Sequence, residues 1–496
     1  MILAYSKLPS ARSALSTAAL FGLLAGGAVQ AQTITANFAG LNLSNTFCGC
    51  QPPDTNGAIG INHFVEFING GYAVFNRNGS LASSIVSDTT FWANAGVSST
   101  LLNQGLSDTR VKFDPLSQRW FASEITLGAI QTATTNANNS VLLAVSKTAN
   151  PLDGWTSTSF NVAGTTRFND YPTLSIDANA VYIGTNDFNP AGNAFLGGTL
   201  SSIPKASLLT LAPTTTGIST LLQNTSAPAM GYTPQVATNY GTGYTGAKIV
   251  AISATAYNKI QFTSISGTAS AGATFGAASS TSTVFDGDPT AVRQPNGTRT
   301  IDGLDNRISG TIYQVGNKIY AAKAINKTNQ TGSTTAAGTD AVHWMVFDAT
   351  TNALLQEGLI EDGARDLWQP SIAANANGDV VIGYNKGGLD LNASSFAAVG
   401  KTVGGVLSFN QQVLLKTGSL YNGTRWGDYS ATMVDPTDSS TFWTIQEVAV
   451  SAGIWGTQIS AIQIAAAVPE PASYLLMLAG MGLLAGVARR QRGSAA

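Results

Sequence analysis

The sequence predicts an all-β fold, a β-propeller of about seven four-stranded antiparallel blades, with an apolar helical segment at each end. Three observations predict it. A similar unit recurs about seven times between residues 32 and 467. Each unit reads as short strands of alternating character broken by Gly, Asn, Asp and Pro, with no convincing amphipathic helix. The composition is that of a turn-rich exported β-protein: 52 glycines in 496 residues, 44% hydrophobic and only 10% charged, where soluble domains average about a quarter charged.

Residues 1–31 read as a secretory signal. Lys7 and Arg12 give a positive leading region, and Ala14 to Ala25 is an apolar core too short to span a bilayer as a stable helix. Val29 and Ala31 occupy the small-residue positions of a cleavage site, so the mature chain is expected to start at Gln32, the alternative being an uncleaved anchor. Export places Cys48 and Cys50, the only two cysteines, in an oxidising compartment. They are expected to form a local disulfide or an inert pair, since His63 is the only nearby partner for a metal and zinc usually takes four ligands.

The body spans residues 32–467. Its repeat is marked by Asp54-Thr-Asn-Gly, Asp108-Thr-Arg-Val, Asn169-Asp-Tyr-Pro-Thr, Tyr232-Thr-Pro-Gln, Asn306-Arg-Ile-Ser, Gln369-Pro-Ser-Ile and Gly427-Asp-Tyr-Ser, spaced by roughly 55 to 70 residues. Most copies continue through a second strand such as Arg119-Trp-Phe-Ala-Ser-Glu or Asp379-Val-Val-Ile-Gly-Tyr, then a third such as Val141-Leu-Leu-Ala-Val-Ser, then a weaker fourth. One small twisted sheet cannot bury both faces alone, so such units stack around an axis and cover one another. A pair of β-sandwiches is the other architecture this pattern admits, and low repeat identity leaves six or eight copies open. Ring closure is expected from Thr33-Ile-Thr-Ala-Asn-Phe lying beside Gln458-Ile-Ser-Ala-Ile-Gln-Ile, which leaves no open edge. The phrases Pro52-Pro-Asp-Thr-Asn-Gly, Phe113-Asp-Pro-Leu-Ser-Gln-Arg-Trp and Trp426-Gly-Asp-Tyr-Ser resemble a group of exported bacterial propeller-like proteins, a resemblance that brings no activity with it.

Catalytic motifs are missing. Neither His63 nor His343 sits in metal-ligand spacing, and no nucleophile elbow, Walker loop or His-Glu-x-x-His occurs. His343 lies in an alternating strand and reads as packed. Glycosidase chemistry needs two positioned carboxylates, and 27 acidic residues nominate no pair by themselves. Calcium is the one cofactor the sequence admits, through Asx-rich loops at Asp302–Asn306, Asp286–Asp288 and Asn375–Asp379, although such residues also serve ordinary turns. Residues 32–471 hold 20 basic and 27 acidic side chains, a net −7, which argues against nucleic acid as a partner.

One clustering stands out. Arg110, Arg167, Arg307, Arg365 and Arg425 each fall at or just before a unit's first strand, each with a neighbouring acid: Asp108, Asp170, Asp305, Asp366 and Asp428. First strands line a propeller's channel, so these residues are expected to form a ring at one mouth. Each arginine would either latch blades through an aspartate or stay available to a uronic acid of an acidic polysaccharide.

The last segment, residues 468–496, has three parts: Pro469-Glu470-Pro471, an apolar run from Tyr474 to Ala488, and Arg489, Arg490 and Arg492. The prolines keep the chain extended ahead of a helix, and the arginines hold the C-terminus cytoplasmic. This order resembles the PEP-CTERM tail of Gram-negative bacteria, the alternative being a simple tail anchor. The resemblance implies processing by exosortase, a membrane protease, transient anchoring, and a host that makes exopolysaccharide. The expected function is therefore an exported surface or biofilm-matrix propeller that binds extracellular polysaccharide or envelope partners without catalysis. A carbohydrate-active enzyme (hydrolase or lyase) on the same scaffold and a protein-binding adhesin are the alternatives.

Overall fold

The computed structural model describes residues 32–128, 139–162, 164–223, 230–243, 246–254, 256–270, 272–328, 338–465 and 479–484. The signal segment with Ala31 and the motif Pro469, Glu470 and Pro471 lie outside them. The chain divides into two units, Thr33–Gln463 and a second made of Met1–Gln32 with Ile464–Ala496. In the second, residues 479–484 are helical. No helix among the described residues is long and apolar enough to cross a membrane.

The large unit is a seven-bladed propeller of antiparallel sheets, as the repeat predicts. Blade 1 is built from Gly57–Ile59, His63–Ile68 and Gly71–Asn76, its outer edge completed by single pairings of Tyr72 with Val86 and Phe75 with Leu81. Blade 2 is Leu106–Asp114, Arg119–Thr126, Val141–Ser146 and Trp155–Phe160; blade 3 is Phe168–Ile176, Ala180–Phe188, Phe195–Pro204 and Ser219–Leu222. Blade 4 orders Tyr232–Val236, Ala247–Ile252 and Lys259–Ser266, with Thr274–Phe275 and Ser279–Ser282 sharing the outer edge. Blade 5 is Tyr313–Val315, Lys318–Asn326, Asp340–Asp348 and Leu354–Ile360; blade 6 is Arg365–Ala374, Asp379–Gly388, Leu391–Val403 and Val406–Lys416. Blade 7 takes Ala431–Val434, Thr441–Ser451 and Ile454–Ile464 from the end of the body and Gln32–Asn42 from its start, so the expected closure is present.

Some features depart from the strand pattern. A small hairpin, Val292–Arg293 with Arg299–Ile301, is inserted before blade 5, whose inner strand is consequently short. A helical turn over Asp88–Asn94 also interrupts the β-rich body. Ser87 caps it by accepting the Thr90 N–H, and Phe91 and Trp92 bury against blade 1.

Apolar residues between adjacent blades form the core. Tyr320, Trp344, Ile372 and Ile382 pack in one layer, and Phe121, Leu143, Leu174 and Ile183 in another. The stacking is close enough to forbid side chains at some sites. A Cβ on Gly184 of blade 3 would lie 1.9 Å from the Pro234 carbonyl oxygen of blade 4.

The repeat phrase proves to be a recurring β-bulge on the channel-lining strand. Asp108, Tyr171, Thr233 and Gln369 all take left-handed backbone, with φ of 65°, 54°, 53° and 48°. The ladder slips at each of them. Asp54, just ahead of blade 1, does the same at φ 52°. Proline follows three of these residues, in keeping with a bulge where no ladder N–H is needed. The bulge leaves backbone carbonyls unpaired, and polar side chains of other blades satisfy them. Arg110 Nε donates to Pro172 O (3.1 Å), Thr173 Oγ1 to Pro234 O (2.9 Å), Ser430 Oγ to Gln369 O (2.9 Å) and the Tyr429 hydroxyl to Thr109 O (2.8 Å).

Candidate functional site

The inner strands all start at the same end of the channel, and that mouth collects part of the expected ring. Arg307 grips Asp305 with two bonds of 2.7 and 2.6 Å, donates to the Tyr232 hydroxyl at 2.8 Å, and lies over the Tyr171 ring at 4.4 Å. Arg425, 46% exposed in its side chain, bridges Asp302 at 2.8 Å and Asp428 at 3.1 Å. Asp54 and Asp108 are buried and hold neighbouring blades together. Asp54 accepts the Asp428 N–H (2.8 Å) and Asp108 the Tyr171 N–H (2.9 Å).

Crowded, buried carboxylates raise one another's proton affinity. Burial, then the charges of Asp428 and Asp108, push Asp54 well above its ordinary range. Burial, then Asp108, does the same to Asp170 against the pull of Arg307. Asp428 is pushed up to about 6 by burial, although Arg307 and Arg425 oppose it. Burial would raise Asp305 too, but the Arg307 charge and hydrogen bonds bring it below the usual value.

The pairing of sequence neighbours that the clustering suggested holds only for Arg307 with Asp305 and Arg425 with Asp428. Arg110 makes no ion pair with Asp108. It turns into the channel, its guanidinium 3.2 Å from the Tyr429 ring centroid and 5.1 Å from that of Tyr171. Arg167 pairs with Asp187 at 3.0 Å, within its own blade. Arg365 pairs with Asp362 (2.8 Å) and Asp390 (2.7 Å), while Asp366 is gripped by Arg293 through bonds of 2.9 and 2.7 Å. The physical reason is the pleat: adjacent strand residues point to opposite faces, so Arg365 and Asp366 cannot share one.

The sequence reading missed a groove beside this mouth. It encloses about 460 Å³ and is lined by Phe188, Phe195, Tyr232, Tyr257, Asp288 and Asn306. Phe195 meets Phe188 and Tyr232 edge to face at 5.8 and 5.2 Å. The Tyr257 hydroxyl donates to Asp288 at 3.0 Å. Tyr232 joins the two sites, with its ring on the groove and its hydroxyl on Arg307. Three of these aromatic residues end separate strands and the fourth, Tyr257, sits in a turn, and only folding shows that they converge.

The loops considered for calcium engage the chain's own donors. Asp286 pairs with Lys323 at 2.6 Å, Asp379 with Lys401 at 2.6 Å, and Asp302 with Arg425. Among the described residues, no group of three or more His, Cys, Asp or Glu is placed to hold a metal ion. His343 is buried, its Nε2 2.8 Å from Glu357. Cys48 and Cys50 form a disulfide.

Fold and tail together define the class: an exported β-propeller protein. Residues 467–492 match the PEP-CTERM protein-sorting motif, which implies export, membrane-associated sorting and processing by the membrane protease exosortase. No curated protein matches the chain. Among solved structures it is similar to the Dos1 propeller (8% identity, TM-score 0.39, 87% of this chain and 95% of that one). It is also similar to an α-L-arabinanase of Penicillium chrysogenum complexed with arabinobiose (9%, 0.39, 86% and 98%). The Hadza microbial sialidase Hz136 is a third (11%, 0.39, 81% and 74%). Likeness this remote carries no argument about activity.

Proposed function

We propose that the propeller is a non-catalytic glycan-binding protein of the cell surface or extracellular matrix, and that the groove of Phe188, Phe195, Tyr232 and Tyr257 holds the sugar. The carrying observation is an open aromatic wall with oxygen and amide groups at its edge. Sugar rings present apolar C–H faces to aromatic rings and hydroxyls to Asp288 and Asn306. The charge at the mouth favours a neutral glycan over an acidic one. Arg307 and Arg425 already face carboxylates of the chain, so neither presents an unanswered cation to a sugar acid.

The raised carboxylates Asp170 and Asp428 are the observation that favours hydrolysis as a second reading. The test is a glycan array on the purified body. Binding to neutral glycans is expected, and Tyr257→Ala or Phe195→Ala should weaken it by about tenfold. Arg425→Gln should leave it unchanged. Binding confined to uronic-acid glycans and lost with Arg425→Gln would replace this reading with the acidic one. Release of shorter sugars would establish catalysis.

A further inference from the structure

The opposite end of the channel, where the inner strands finish, holds a cavity of about 420 Å³. Its walls are mostly apolar, with Ile59, Phe113, Tyr240, Tyr313, Val315 and Met433 among them. The carboxylate on the wall, Asp435, is held by two bonds from Arg77, at 2.5 and 3.0 Å.

One group does not belong in an apolar cavity. Lys112 lines it and is only 8% exposed. Among the described residues its ammonium has a single hydrogen-bond acceptor, Thr311 Oγ1 at 2.5 Å, with the Tyr313 ring 5.5 Å away. Among the described residues no carboxylate lies within 4.0 Å of it. An ammonium carries three donors, so two are left over. Two residues along the same strand face, Arg110 is also buried, and among the described residues it has no ion pair and its Nη2 no hydrogen-bond partner. A narrow polar space of about 10 Å³ is lined by both cations together with Asn56, Thr173 and Gln235. Elsewhere in the body buried cations do have acids: Lys205 has Asp114 at 2.7 Å and Lys323 has Asp286 at 2.6 Å. An uncompensated buried charge is expensive, and a ligand carboxylate would complete this one. Burial, then the Arg110 charge, brings Lys112 down to about 7, as expected of a cation lacking its counter-charge.

We infer that this cavity binds a small organic carboxylate, whose oxygens meet the Lys112 ammonium and whose apolar or aromatic body fills the space between Phe113, Tyr313 and Met433. The site is independent of the glycan reading, because it shares no residue with the aromatic groove.

Calorimetric titration with 4-phenylbutyrate and its neutral counterpart 4-phenylbutan-1-ol tests it on the purified body. The acid should bind at least about tenfold more tightly than the alcohol, the advantage of a buried charge-assisted contact. Lys112→Met should reduce the acid to the affinity of the alcohol and leave the alcohol unchanged. That variant removes a buried charge, so it should fold, and its melting curve checks this. Met433→Trp, which fills the cavity, should abolish both. Equal affinity of acid and alcohol for the unaltered protein overturns the inference. So does unaltered acid binding in Lys112→Met, or no binding of either compound.

Discussion

Glu66 closes the ring, and its replacement by glutamine should remove the pH dependence that its carboxyl gives to that closure. The side chain is fully buried in blade 1. One oxygen accepts the Leu41 N–H of the N-terminal strand at 2.9 Å, and the other accepts the Thr457 hydroxyl of blade 7 at 2.6 Å. No cation pairs with it among the described residues, and burial pushes its pKa from 4.5 to about 7. The folded state thus keeps the proton to higher pH than the unfolded chain does. This contribution is fully present below about pH 4.5 and is lost as pH rises through about 7. At about 1.4 kcal/mol per tenfold in proton affinity, ionising Glu66 costs the fold on the order of 3 kcal/mol at pH 8. Glutamine keeps both contacts. Its oxygen can take the Leu41 N–H and its amide can donate to Thr457, whose hydroxyl then turns to Leu41 O, 3.2 Å away. Urea denaturation followed by tryptophan fluorescence should give Glu66→Gln and the unaltered protein similar stability at pH 5. At pH 8 the variant should lead by about 3 kcal/mol. Other buried acids are common to both proteins and cancel in the difference. A stability difference that stays constant from pH 5 to pH 8 would refute the reasoning.

Deleting residues 32–44 removes the closing strand with Leu41 and with Phe38, whose ring lies 5.5 Å from Phe75 and 6.4 Å from Trp443. Calorimetry should show the single melting transition of the whole body lowered by at least about 3 kcal/mol; an unchanged transition contradicts closure. Arg293→Ala orphans the buried Asp366 and should lose about 3–5 kcal/mol in urea denaturation. Arg365→Ala, at an exposed pair, should change little, and equal effects would undo the assignment of partners. Intact mass of natively exported protein should show a chain ending before the apolar run at Tyr474. Recovery of chains ending at Ala496 would contradict tail processing.

The sequence by itself determined the architecture and the address. Strand alternation, turn residues and a recurring phrase specify blades because they are local and periodic, and the closing strand was legible as an orphan strand facing the last blade. The tail was legible because its three parts are contiguous in the chain. The site was not. The arginines drew attention by their position in the repeat, but Arg365 and Asp366 stand on opposite faces of one strand. The partner of Asp366, Arg293, comes from an inserted hairpin 73 residues away. The repeat phrase itself had a meaning that only the structure supplied: it builds a bulge whose bare carbonyl must be met by a polar side chain from another blade. In the sequence Lys112 is simply a lysine within a strand. Only the closed ring buries it beside Arg110 with no carboxylate of the described residues within 4.0 Å, because burial and the distance to a counter-charge are properties of the whole assembly of blades and not of any stretch of chain.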